Sequence, residues 1–330
     1  MSIGQFITII DLVEDIIHIV FCVNDAYVPY ICVTIKSILE NSNGKSVSVH
    51  ILTDCISDIN RKRLSDEFGS HKNISVRICQ VDDAKLKGLG TGNLTIHAWY
   101  RILLPDILPQ DISRVLYLDA DTIVTDSIGD LFEMDMTDKS IAAALDPASF
   151  NDMTYCRCGY DKHKQYICSG VILMNLDYWR QNNLTDKIID YARRNNEKLL
   201  FQDQDAINYI CQDTKIILPF RYGTALWFFV RERLYTDKSY YKQLYDSFYH
   251  PAIIHYIGCH PWQKEIVVRH IMHDQWIKYN KMLRRPVKRS YGVKFSLAVK
   301  IAVYRFLHPS IRCIGITAND VKSKLSTYGS

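Results

Sequence analysis

The sequence predicts an α/β fold, a mostly parallel sheet with helices on both faces. Two observations predict it. Between Ile16 and Val81, apolar strand-like runs alternate with amphipathic helical stretches, the pattern of a sheet crossed over by helices. Polar and acidic residues then collect where such runs end: Asn24 and Asp25 after the first, Asp119 and Asp121 after Val115-Leu116-Tyr117-Leu118. In open α/β sheets ligands bind outside the carboxyl ends of the strands, so this convergence argues for one site.

Taken in order, Ile16 to Val23 is an apolar strand, closed by the polar turn Asn24-Asp25-Ala26. Tyr30 to Leu39 has helical apolar spacing and stops near Asn41-Ser42-Asn43-Gly44. Val47 to Leu52 is a second strand, Asp58 to Phe68 a charged amphipathic helix, and Ser75 to Val81 a third strand. Leu94 to Leu104 reads as a helix carrying Arg101 and stopped by Pro105. Ile141 to Leu145 is a strand ending in Asp146-Pro147, and residues 149–165 read as a loop. Tyr166 to Leu176 is a strand broken at Ser169-Gly170, with a helix following through Tyr191. Phe201 to Cys211 places Gln202-Asp203-Gln204-Asp205 at a helix start, and Ile253 to Gly258 is a short strand before Pro261-Trp262.

Composition bounds the class. With 330 residues, 48% apolar and 23% charged, the chain is an ordinary globule rather than a disordered one. Its net charge of +4 hides an asymmetry, because Gln275 to Asn319 contains ten Lys or Arg and no acid. The cysteines are scattered without a C-x-x-C pair, and Cys22, Cys32 and Cys79 lie in apolar runs, which favours buried thiols over a disulfide framework. Asp11, Glu14, Asp15 and His18 interrupt the apolar N-terminus, against a signal peptide. No run of 18 apolar residues implies a spanning helix.

Asp119 and Asp121 carry the chemistry. Residues two apart on a strand share a face, and two carboxylates there repel unless a cation lies between them. Carboxylate oxygens suit hard divalent ions that keep positions for substrate phosphates. Two solvated loop acids are the plain alternative.

Five islands stand in one order: VFCVNDAYVPY at 20–30, YLDAD at 117–121, SGVILMNLDYW at 169–179, FQDQD at 201–205 and HYIGCHPW at 255–262. Together they resemble glycosyltransferase family 8, and within it the bacterial lipopolysaccharide and lipo-oligosaccharide glucosyl- and galactosyltransferases. The resemblance implies a single GT-A-type domain with a mixed sheet over 16–275, made of a nucleotide-binding half (16–135) and an acceptor and catalytic half (136–275). It also implies a nucleotide-sugar donor, a divalent cation and retention of anomeric configuration.

By the same resemblance, Asp119, Asp121 and His255 would hold Mn2+ or Mg2+. Asn24, Asp25, Tyr27, Arg101, Ala120, Ser169, Gly170, Gly258 and His260 would join Asp119 and Asp121 in binding the donor. Asp146, Asp203 and Gln204 would be the catalytic group, with Gln204 supporting the cation-like sugar and Asp203 orienting it; an N-cap role is the plain reading of Asp203. Gly258 would allow close backbone approach to the diphosphate.

Some residues depart from the family pattern. Gly258-Cys259-His260-Pro261-Trp262 is one residue shorter than usual, with His260 in place of a lysine, so the charge depends on protonation; Lys264 is the other candidate for that charge. Asn24 stands where an Asp is frequent, though Asn offers a base edge both a donor and an acceptor. Ala26 replaces an Asn. Cys168 takes the place of an Asn before Ser169-Gly170, which implies a lost donor-sugar contact.

Residues 276–330 form a basic, helical C-terminal extension. Within 284–308, Arg284, Arg285, Lys288, Arg289, Lys294, Lys300 and Arg305 interleave with aromatic and aliphatic residues, fitting an interfacial membrane helix on an anionic surface; an ordinary packed helix is the alternative. No nucleic-acid motif accompanies the charge.

The expectation is a retaining hexosyltransferase that uses UDP-glucose or UDP-galactose and acts on a lipid-linked oligosaccharide or lipopolysaccharide. It would lie in the cytoplasm, peripheral on the inner face of the membrane. Two rivals stay open. Asp119-Ala120-Asp121-Thr122 fits the D-x-D-x-T signature of haloacid-dehalogenase-like phosphatases, although over a hundred residues precede it here. The departures at Ala26, Cys168 and His260 leave room for a catalytically dead nucleotide-sugar or glycan-binding protein.

Overall fold

The computed structural model describes residues 16–92, 94–258, 260–263, 270–290 and 316–329. Its centre is a seven-stranded mixed sheet in the order β3-β2-β1-β4-β7-β6-β8. The strands are β1 (Ile17–Cys22), β2 (Val47–Thr53), β3 (Ile74–Gln80), β4 (Arg114–Leu118), β6 (Ile141–Ala144), β7 (Val171–Asn175) and β8 (Lys215–Leu218). A second, two-stranded sheet pairs β5 (Thr122–Val124) with β9 (Ile253–His255).

Strand direction sets the site. β1 pairs in parallel with β2 and β4, and β6 with β8. β7 alone runs against both its neighbours, β4 and β6. Its entry, Ser169-Gly170, therefore lies beside the exits of β4 and β6. The antiparallel β5–β9 pair sets Thr122 opposite His255, so the histidine arrives next to Asp121 although 133 positions of sequence intervene.

Both faces of the main sheet are covered, and β2 is buried along its whole length, as expected of a central parallel strand. On one face α1 (Val28–Glu40) and α2 (Asp58–Phe68) pack on Ile19, Phe21, Val49 and Ile51. On the other face Trp99, Trp179, Ile188 and Ile207 pack on Val20, Val115 and Ile172. Hydroxyls on α1 also hold β5: Thr34 Oγ1 donates to Thr122 O at 2.8 Å, and Ser37 Oγ accepts from Val124 N at 3.0 Å. These satisfy backbone groups that a three-residue strand leaves open.

Several expectations are corrected. The segment 149–165 is not a loop; a 3-10 turn, Pro147–Phe150, leads into a helix, Asp152–Cys158, which Asn151 caps through Met153 N and Gly159 ends in the left-handed region. Pro105 does not stop a helix over Leu94 to Leu104. A 3-10 stretch, Ile96–Leu103, passes into the short helix Leu104–Ile107, where Pro105 lies in the first turn and its missing N–H costs nothing. The single helix expected through Tyr191 is two, Leu176–Gln181 and Leu184–Asn195, parted by Asn183 at φ 51°. The sequence reading passed over β5, β8 and the helices Lys238–Tyr249 and His273–Met282.

Much of the basic segment, residues 291–308, lies outside the described residues. Its described start is bound to the domain. Buried Glu67 on α2 accepts from Arg284 N at 2.9 Å and Arg285 N at 2.8 Å, while Arg285 pairs with Asp66 at 2.7 Å. Arg289 donates to the carbonyls of Pro261 and Gln263. Among the described residues no helix is long and apolar enough to cross a membrane. Glu67→Ala strands two backbone donors and is expected to cost about 1–3 kcal/mol of stability in urea unfolding. A loss below about 0.5 kcal/mol, the size of an ordinary surface substitution, would show that the contact is dispensable.

Candidate active site

Asp119, Asp121 and His255 converge at the strand ends, one ligand atom of each lying within 4.8 Å of the others. His255 Nε2 is 3.2 Å from Asp121 Oδ1 and 3.7 Å from Asp119 Oδ2. Its Nδ1 faces Cys168 Sγ at 3.6 Å, which directs Nε2 toward the carboxylates. Gly170 makes the cluster possible. A Cβ there would stand 2.1 Å from His255 Cε1 and 2.6 Å from Asp119 Oδ2. Asp119 N donates to Gly170 O at 2.8 Å, so the glycine's backbone is fixed against the cluster. Two carboxylates and an imidazole, held around a space cleared of side chain, fit a hard to borderline divalent ion such as Mn2+.

The acids are balanced separately. Burial works against the Asp121 anion, but His255 and then His260 outweigh it and hold its carboxyl well below the usual range. Burial likewise opposes protonation of His255, and Asp121 reverses the sign, raising its proton affinity. His260 Nδ1 lies 3.3 Å from Asp121 Oδ2, off the line of a hydrogen bond, and its ring stacks on Trp262. Asp119 is served by other partners: Tyr117 OH donates to its Oδ1 at 2.6 Å and Arg101 Nη2 lies 3.2 Å away.

Arg101 is the hub of a buried network. It lies over the Tyr117 ring at 4.1 Å, and its Nη1 donates to Ser169 O at 2.5 Å. Its Nε stands 3.1 Å from Asp203 Oδ2, an ion pair without an aligned hydrogen bond. Burial pushes the Asp203 carboxyl up to about 6, Arg101 opposing. Asp203 lies in the first turn of the helix Gln202–Ile210 and is not its cap, which falls on Phe201.

Gln204 links the strand ends. Its Oε1 accepts from Ser169 N at 2.8 Å and Ser169 Oγ at 3.1 Å, and its Nε2 donates to Asp146 Oδ2 and Tyr166 OH, each at 3.2 Å. Asp146 also accepts from Ala148 N at 2.6 Å. Burial raises the Asp146 carboxyl, these two donors working against the rise.

The remaining predicted residues are dispersed around this centre. Asn24 Oδ1 is buried without a partner, an acceptor awaiting a donor. Asp25 is already engaged: its Oδ1 accepts from Ser57 N, Ser57 Oγ and Asn60 Nδ2, tying the β1 exit to α2. Tyr27 is 38% exposed and meets Trp262 edge-on, while Tyr30 and Trp262 stack at 4.0 Å. Ala120 is buried between the acids. Gly258 takes φ +67° with open space where a Cβ would be. Cys259 and Lys264 lie outside the described residues.

Sequence reasoning missed two contributors and gave a third another role. Tyr117 shares a strand face with Asp119, two residues on, and that spacing was a usable signal. Tyr166 joins Gln204 to Asp205. Cys168, read as a lost sugar contact, instead stands behind His255.

The fold and site describe a glycosyltransferase, and comparison with known proteins agrees. The family model described as glycosyl transferase family 8 matches residues 18–265. The chain belongs to that family. It is 26% identical over 278 residues to general stress protein A of Bacillus subtilis (strain 168), covering 81% of this chain and 93% of that protein. It is 28% identical over 241 residues to a lipopolysaccharide 1,2-glucosyltransferase of Escherichia coli, covering 70% of this chain and 68% of the relative. The galactosyltransferase LgtC, solved with donor and acceptor sugar analogs, shares the fold at a TM-score of 0.72 and 24% identity, over 86% of this chain and 100% of LgtC. The family match overturns the phosphatase reading of Asp119.

Gly170→Ala should fold yet lose the cluster, because only a shift of His255 or Asp119 relieves the overlap. Titration with Mn2+, followed by electron paramagnetic resonance, is expected to show binding weakened by at least about tenfold, the loss associated with disturbed metal ligands. Wild-type affinity in this variant would remove Gly170 from the account.

Proposed function

We propose that the chain is a retaining hexosyltransferase that moves glucose or galactose from a UDP-sugar to a hydroxyl of a bacterial surface glycan, lipopolysaccharide core or O-antigen. The observation that carries this reading is the Asp119–Asp121–His255 cluster at the mouth of the sheet, beside the unpartnered acceptor of Asn24. Membership of the family supports the transferase class, and the E. coli relative supports a glycan acceptor of this kind.

In this reading residues 16–135 form the nucleotide-binding half and 136–275 the acceptor and catalytic half. Asn24 accepts from the base, Tyr27 packs on the nucleoside, and Ser169, Gly258 and His260 approach the donor's phosphates and sugar. Asp119, Asp121 and His255 would hold Mn2+ or Mg2+. When bound, the ion supplies Lewis-acid stabilisation of the departing diphosphate.

The chain's own residues do the positioning. Arg101 supplies a permanent cation, and Asp203 and Asp146 accept from sugar hydroxyls. Gln204, already held by Ser169 and Asp146, offers its amide oxygen to the positive character that builds at the anomeric carbon. The acceptor oxygen bonds to the anomeric carbon on the face the phosphate leaves. The carbon–phosphate-oxygen bond breaks, and the hydroxyl's proton passes to the departing phosphate oxygen. Same-face exchange retains configuration. In the basic segment 276–330, the cationic run over 284–308, apart from Arg285 and Arg289, which bind the domain, holds the enzyme on the anionic cytoplasmic face of the membrane, where a lipid-linked acceptor lies.

Thermal shift with UDP-, GDP-, CDP- and dTDP-sugars, with and without Mn2+, tests the donor. Ligand at about 100 times its Kd adds about 2.7 kcal/mol, and only UDP-sugars with Mn2+ are expected to give the several-degree rise this implies. Equal shifts for all nucleotides, or none for UDP, would refute the reading. Gln204→Ala is expected to lower kcat by about 10²–10³, the scale for loss of one preorganised dipole aimed at charge that develops in the transition state, with UDP affinity retained. An unchanged kcat would exclude Gln204 from the chemistry.

A further inference from the structure

Resting on the transferase reading, we propose that Arg231 and Arg233, both lying over the Phe150 ring beside Asp146, form an anion subsite for a phosphate group carried by the acceptor. The Cζ atoms of Arg231 and Arg233 stand 5.7 Å and 4.8 Å from the centroid of that one ring. The ring itself is fixed. Phe150 is buried, edge-on to Phe220 at 6.5 Å and to Tyr240 at 5.4 Å. It ends the 3-10 turn Pro147–Phe150, which Asp146 caps.

The two cations share this ring with no carboxylate in contact, although Asp152 and Asp237 feel the charge of Arg233, and Asp146 that of Arg231, from farther off. Among the described residues neither guanidinium has a carboxylate in ion-pair range, and Arg231 Nε is buried with no hydrogen-bond partner. The nearby acids are engaged elsewhere. Asp152 pairs with Lys162, Glu232 with Lys324 and Tyr328, and Asp237 with Ser239. Burial first, and then the charge of Arg233, lower the proton affinity of Arg231, with Asp146 acting in the opposite direction. Like charges brought together around a buried, unsatisfied donor are the complement of an anion.

Location places that anion on the acceptor side. Arg231 follows the helix Leu226–Phe229, and Trp227 in that helix donates to Ile257 O at 3.1 Å, just beyond the strand that carries His255. The donor's diphosphate is accounted for by the metal cluster and Arg101. An anion near Arg231 and Arg233 therefore belongs to the molecule that approaches Asp146 from the other side. A phosphomonoester carries a charge of about −1.5 to −2 and three acceptor oxygens, which two guanidinium forks match; a single carboxylate matches only one. The acceptor class is thus a phosphorylated saccharide, its phosphate set apart from the hydroxyl that receives the hexose.

The test is calorimetric titration of glucose, glucuronate and glucose 6-phosphate into the full chain saturated with UDP and Mg2+. Wild type is expected to bind glucose 6-phosphate at least about tenfold more tightly than glucose, with glucuronate between, as charge-assisted bidentate contacts predict. Arg231→Gln and Arg233→Gln should each reduce that preference and the double variant abolish it. Equal affinity for the three sugars in wild type, including no detectable binding of any, would overturn the proposal, as would a preference that survives in the double variant. Arg233 is exposed, so R233Q is expected to fold and carries the test even if R231Q does not. A separate titration of UDP and Mg2+ into the sugar-free protein distinguishes the two claims: no UDP binding with the phosphate preference intact would sink the nucleotide-sugar reading and leave the subsite standing.

Discussion

Asp119 and Asp121 leave β4 as two negative charges within reach of each other, and the surrounding structure compensates them one at a time. Arg101 and Tyr117 take Asp119; His255 and His260 take Asp121. The imidazole can approach only because residue 170 has no side chain, and the carboxylates meet Ser169-Gly170 only because β7 is reversed between β4 and β6. An electrostatic demand at one strand exit thus fixes a strand direction, a glycine and the position of a histidine far along the chain.

The same arrangement links the Asp119–Asp121–His255 cluster to the proposed catalytic group. Arg101 touches Asp119 and Asp203, and its contact with Ser169 O sets the loop whose N–H and hydroxyl hold Gln204. Gln204 in turn holds Asp146. Burial makes these bonds strong and their breakage costly, since any member left alone keeps an unsatisfied polar group in a dry environment. The network therefore sets side-chain positions before substrate arrives, which is how an enzyme avoids reorganisation during the reaction.

Much of this was legible in sequence, for identifiable reasons. The helix Asp58–Phe68 was read to the residue from its charged amphipathic pattern, and the structure adds the Ser57 cap that starts it. The strands flanking Asn24 and Asp119 were long enough for their apolar runs to stand out. β5 was not, since Thr122–Val124 is too short to show alternation. The polar run after Asp146 read as loop, although Asn151 and Gly159 were usable cap signals. Strand direction leaves no trace in periodicity, so the reversal of β7, and with it the reason for Gly170, emerged only in three dimensions. The proposed site residues were legible as islands; their couplings through Tyr117, Tyr166 and Cys168 were not.

The central claim is that Asp119, Asp121 and His255 jointly bind one divalent ion. Electron spin echo envelope modulation of Mn2+ added to the protein with UDP measures this directly. The account predicts one bound Mn2+ with a nitrogen coupling from an imidazole, lost in His255→Ala. Mn2+ bound with oxygen ligands alone, or a nitrogen signal unchanged by that substitution, would contradict it.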